Sequence, residues 1–85
     1  MRHATAAALD QLEELLVHAR ALPGLRERKR GAFYRGGAGW LHFHEDPAGL
    51  FADLKIGGQF ARFPVNTAAQ RALLLRKLRA SLSGR

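Results

Sequence analysis

No cysteine occurs in the chain, which excludes a disulfide framework, a thiolate metal site and a cysteine nucleophile. A cytoplasmic location is the expectation that follows. Long apolar runs are missing too: none approaches the roughly 20 residues that cross a bilayer. The stretch from Leu9 to Val17 carries Asp10, Glu13 and Glu14, which break the apolar segment that a secretory leader requires. Acids are scarce as well, with seven Asp and Glu against fourteen Lys and Arg, for a formal net charge of +7. Such an excess raises the case for nucleic acid or another polyanion, but charge alone is a weak clue to a partner, and an arginine-rich bacterial proteome whose small proteins are simply basic is the preferred reading. The 85 residues suffice for a single domain spanning 1–85, whose modest core dimerisation would help to stabilise.

What is present begins with Trp40 to Ile56, WLHFHEDPAGLFADLKI, which reads as one β-hairpin. Asp46-Pro47-Ala48-Gly49 forms its turn: Asp leads, Pro presets φ and Gly closes. With Asp46 opposite Gly49, the pairs are Glu45–Leu50, His44–Phe51, Phe43–Ala52, His42–Asp53, Leu41–Leu54 and Trp40–Lys55. Opposed residues share a face. Leu41, Phe43, Leu50, Ala52, Leu54 and Ile56 therefore form a core face, and Trp40, His42, His44, Phe51, Asp53 and Lys55 an outer one.

Gly57-Gly58 is a second hairpin turn, tolerant of positive φ, and it pairs Lys55 with Phe60 and Asp53 with Arg62. Upstream, RERKRGAFYR at 26–35 reads as one charged edge strand. A three-residue loop, with Arg35 opposite Gly39, places Phe33 beside Leu41, whereas a two-residue loop would push Arg28 and Arg30 onto the core side. The same loop sets Tyr34 beside Trp40 and Arg30 near His44 on the outer face.

Two amphipathic helices flank these strands. The first, over 4–22, aligns Thr5, Leu9, Leu12, Leu15, Leu16, Ala19 and Leu22 on one side, and Pro23-Gly24 ends it. Its opposite line of Asp10, Glu14 and His18 is read as a solvated face rather than a metal site. The second follows the capping box Thr67-Ala68-Ala69-Gln70 and runs to about Leu82, leaving Ser83-Gly84-Arg85 as a frayed end. The expected fold class is α+β, a two-layer helix, four-stranded antiparallel meander and helix, with both helices on one face of the sheet.

Function is then expected on the uncovered face, at Tyr34, Trp40, His42, His44, Phe51, Asp53, Lys55, Phe60 and Arg62. The first reading is a homodimer that hides this aromatic face against a second copy. A second is binding of nucleic acid or an acidic partner, with rings stacking on bases and cations meeting phosphates. A third is a metal or small-ligand site at His42, His44 and Asp53, set against a plain His42–Asp53–Arg62 polar ladder. No nucleophile accompanies the His42–Asp53 pair, since Thr5, Thr67, Ser81 and Ser83 fall at helix starts or the C-terminal end. A non-enzymatic domain without a cofactor or a membrane partner is the expectation.

The run GGAGWLHFHEDPAGLFADL, a double-Gly turn before an apolar–His–Phe–His strand, resembles small uncharacterised bacterial proteins with a so-called luciferase-type domain. The resemblance covers roughly residues 31 to 65 and implies no light-producing activity. The helix–meander–helix order is also similar to the frataxin-like arrangement. Asp10, Glu13 and Glu14 do not amount to the acidic iron-binding ridge of frataxins, so that similarity implies the fold and not iron chemistry.

Overall fold

The computed structural model describes residues 2–83. In chain order they form β1 (Arg2–His3), α1 (Ala6–Gln11), α2 (Glu13–Arg20), β2 (Arg26–Lys29), β3 (Ala32–Arg35), β4 (Ala38–Asp46), β5 (Gly49–Ile56), β6 (Gln59–Pro64) and α3 (Ala68–Ser83). The fold is α+β. Its sheet has six antiparallel strands in the order β2-β3-β4-β5-β6, with β1 lying beside β4 off that path.

Turn chemistry sets the middle of the sheet. Asp46 Oδ1 accepts a hydrogen bond from the Ala48 N–H at 2.8 Å, and Asp46 pairs with Gly49, as the Asp-Pro-Ala-Gly signal requires. The expected β4–β5 pairs from Leu41–Leu54 to Glu45–Leu50 are all observed. Gly57 and Gly58 both have positive φ, and β6 follows in the expected register.

The first half of the sheet differs from expectation. The run at 26–35 is not one strand but the β2–β3 hairpin, turning at Arg30-Gly31 with Lys29 opposite Ala32. Gly31 supplies the φ of +81° that the turn needs. It also packs so closely on α1 that an added Cβ would lie 2.7 Å from a Leu9 methyl. The next turn uses two residues, Gly36 and Gly37, with Arg35 opposite Ala38, rather than the expected three-residue loop. A bulge in β4 then inserts Trp40 between Gly39, opposite Tyr34, and Leu41, opposite Phe33. The shorter loop and the extra residue cancel, so Phe33 still meets Leu41 as expected. With β1, β2 and β3 distinguished, the four-stranded meander becomes a six-stranded sheet.

Trp40 is a correction to the expected outer face. Freed from strict alternation by the bulge, it is only 4% exposed and belongs to the hydrophobic core. That single core also contains Phe33, Leu41, Phe43 and Leu54 from the sheet, and Leu12, Leu16, Leu74 and Leu78 from the helical side. Ile56, expected in the core, is 44% exposed, because it ends β5 at the Gly57-Gly58 turn.

The expected first helix is divided at Leu12, whose φ of −99° and ψ of 5° leave helical geometry while its side chain is fully buried. Thr5, expected on the apolar side, instead caps α1, accepting from the Ala8 N–H at 3.3 Å. Glu45 anchors that cap from β4, accepting from the Thr5 N–H at 2.6 Å and the Thr5 hydroxyl at 2.8 Å. These bonds hold the Glu45 carboxyl below the usual carboxylate range.

α3 begins as expected. The Gln70 N–H donates to Thr67 Oγ1 at 3.1 Å, and the Thr67 N–H donates to Gln70 Oε1 at 3.2 Å. The helix continues through Ser83, while Gly84 and Arg85 of the expected frayed end lie outside the described residues. Thr67→Ala is expected to cost about 1 kcal/mol in a urea-denaturation measurement. Unchanged stability would mean that the cap contributes nothing beyond water.

Candidate functional site on the outer sheet face

Residues alternating with the core strand positions carry polar and aromatic groups. β4 contributes His42 and His44, β5 contributes Phe51, Asp53 and Lys55, and β6 contributes Phe60 and Arg62. Tyr34 lies on β3 opposite Gly39. Two further groups were not legible in the sequence as part of this face. His3 arrives on β1, opposite His44, and Arg28 is the extra residue at a shift in the β2–β3 register. A strand of only two residues has no periodicity to read, and a bulge within a charged run leaves no compositional mark.

Asp53 is the centre of the polar part. Arg62 grips it in parallel, with Nε 2.8 Å from Oδ1 and Nη2 2.9 Å from Oδ2. His44 Nε2 lies 3.2 Å from the same Oδ2. The Arg62 hydrogen bond outweighs burial and holds the Asp53 carboxyl below its ordinary range. The expected ladder is therefore altered in one member. His42 is opposite Asp53 in register, yet the diagonal neighbour His44 reaches the carboxylate.

His42 takes another course. Its Nε2 is buried without a hydrogen-bond partner and rests on Gly39, where an added Cβ would lie 2.9 Å away. Phe60 meets its ring edge-on at 5.6 Å, and Tyr34 lies 6.0 Å away. Burial, then the nearby His3 and His44, push the His42 imidazole below its ordinary pKa, so it is neutral at neutral pH. His3 stacks on His44 with ring centroids 4.9 Å apart.

Two cations lie over rings on the flanks of this cluster. The Arg28 guanidinium carbon is 4.7 Å from the Tyr34 ring centre, and Lys55 Nζ is 5.4 Å from that of Phe60. Phe51 is half-buried and Phe60 is 50% exposed. Arg30, expected near His44, instead bonds Asp10 and Glu13 on the helical side, at 2.8 Å each. These two acids draw it away from the sheet face.

The metal reading of His42, His44 and Asp53 is not supported by this geometry. Among the described residues no three His, Asp or Glu side chains form a group able to hold a metal ion. Both Asp53 oxygens are occupied by Arg62, and His42 Nε2 lies against Gly39. Among the described residues no helix is long and apolar enough to cross a membrane. Comparison with protein-family models, with curated proteins and with solved structures finds no match for the chain.

Proposed function

We propose that the outer sheet face binds single-stranded nucleic acid. The observation that carries this reading is the pairing of cation and ring at both flanks, Arg28 over Tyr34 and Lys55 over Phe60, with histidine rings between them. Rings accept bases of any sequence, and adjacent cations neutralise the phosphates between those bases. Asp53 opposes this little, because Arg62 already offsets its charge. A cytoplasmic location, favoured by the lack of cysteine, agrees with such a partner.

Self-association through the same face is the second reading, favoured by the half-exposed Phe60. Withdrawal of Trp40 into the core takes away the largest ring such an interface would use. A two-fold contact would also bring Arg28 and Lys55 towards like charges on the second copy.

Fluorescence anisotropy with a labelled single strand of about ten nucleotides tests the proposal. Affinity is expected to fall with salt, and Arg28→Ala and Lys55→Ala should each flatten the log–log slope by about 0.7. Phe60→Ala should weaken binding about tenfold. Absence of binding at about 50 mM salt would sink the reading. A dimer in light scattering that Phe60→Ala dissolves would put the second reading in its place.

A further inference from the structure

β4 is nine residues long, and neither neighbour on one of its sides spans it. β3 pairs with it at Ala38, Gly39 and Leu41, and β1 at His44 and Glu45. Between them, at His42 and Phe43, the sheet has a seam. The Ala4 N–H donates to the Phe43 carbonyl at 3.1 Å and marks its near edge. A cavity of about 580 Å³ opens there, within the range of about 300–1,000 Å³ typical of small-molecule sites.

The lining has three kinds of group. Leu9 and Phe43, both buried, provide an apolar floor, and Gly31 packs against Leu9 beside them. His3 and Tyr34 stand at 6.4 and 6.0 Å from the His42 ring, and all three rings line the opening. Lys29 is exposed and has no ion pair among the described residues, whereas Arg30, also at the rim, is bound to Asp10 and Glu13. Tyr34 likewise makes no side-chain hydrogen bond among the described residues, leaving its hydroxyl for a ligand.

We propose that this seam seats an aromatic ring bearing a phosphate, the chemistry of a 5′-mononucleotide, free or at the end of a single strand. The ring lies against His3, Tyr34 and His42, and the phosphate meets Lys29 at the rim. A cavity floored by Leu9 and Phe43 suits a terminal group better than a strand that must continue through it. The inference deepens the nucleic-acid reading and, for the strand-borne ligand, rests on it.

The test is a two-dimensional amide NMR titration of the full chain with adenosine 5′-monophosphate, adenosine and inorganic phosphate. A parallel anisotropy series uses one oligonucleotide with a 5′-phosphate or a 5′-hydroxyl. The monophosphate is expected to shift the Gly31, His42 and Phe43 amides and to bind about tenfold tighter than adenosine. Lys29→Ala should abolish that difference, and Tyr34→Leu, which keeps apolar bulk, should weaken both ligands.

No shift at the seam overturns the inference, as does equal affinity for the monophosphate and adenosine. Inorganic phosphate binding as tightly as the monophosphate overturns the role of the rings. If oligonucleotides bind without regard to the 5′-phosphate and the monophosphate does not bind, the seam site fails while the surface reading stands. If the monophosphate binds at the seam and oligonucleotides do not bind, the surface reading fails and the seam stands as a small-molecule site.

Discussion

Trp40→Ala is expected to lower the free energy of unfolding by about 3–5 kcal/mol. The total stability of a small domain is about 5–15 kcal/mol, so this variant loses a large share of its folded population or all of it. The loss follows from the position of the indole, 4% exposed in the core shared by the sheet and the helices. Urea denaturation followed by circular dichroism provides the measurement, and Trp40→Phe should retain most of the stability by keeping an aromatic ring in the space. A Trp40→Ala protein of near-native stability that fails only to bind nucleic acid would return the indole to the outer face. It would also remove the bulge as the explanation of its burial.

Glu27→Ala is expected to cost about 2 kcal/mol. Glu27 accepts from Arg20 Nε at 2.5 Å and Nη2 at 3.2 Å, and from the Gly31 N–H at 2.9 Å. Arg20 continues to Glu13, which in turn accepts from Arg30, so one network fastens the helical side to the β2–β3 hairpin. Removing the carboxylate leaves the buried Gly31 N–H unsatisfied as well. Arg20 is about a third exposed, and solvent screening keeps its share of the effect small. Glu27→Gln, which still offers an oxygen to Gly31, should lose less. Equal losses in the two variants would show that the backbone bond contributes nothing.

The same carboxylate shapes the response to acid. Burial works to raise its pKa, but hydrogen bonds from Arg20 and from the Gly31 N–H outweigh it and hold the group below its ordinary value. A depressed folded value means that the contribution is complete above the unfolded pKa of about 4.3. It is lost as pH falls from there through the folded value. Asp53 acts in the same direction through Arg62. The half-buried, neutral His42 does so in a higher window that begins near about 6.5. Stability should therefore decline towards acid, and the wild-type profile below about pH 4.3 should be steeper than that of Glu27→Gln. Parallel profiles would exclude Glu27 as a contributor.

How much of this was readable beforehand divides along the range of the interactions involved. The Asp46-Pro47-Ala48-Gly49 turn, the Gly57-Gly58 turn and the Thr67–Gln70 capping box each close within four residues, and each occurs as the sequence implies. From those turns alone came the register of β4, β5 and β6, and with it the placement of His42, His44, Asp53 and Arg62 on one face. The Arg30-Gly31 turn was equally local but lay hidden in a charged run that reads as a single edge strand.

Other features depended on groups far apart in the chain. Burying an indole removes about 150–250 Å² from water, worth about 4–6 kcal/mol at about 25 cal/mol per Å². A disturbed ladder bond costs about 1 kcal/mol, so the bulge that turns Trp40 inward is the favourable arrangement wherever the core has room for it. Whether it has room is decided by the whole core, to which strands and helices both contribute. Likewise Arg30 left the sheet because Asp10 and Glu13 wait on the helical side, and His3 entered it because β4 outruns β3. By itself the sequence determined the turns, caps and strand faces, which rest on contacts a few residues apart. Only the tertiary structure decided the bulge, the seam and the partners of the charged groups, because each is a competition for burial or charge between distant segments.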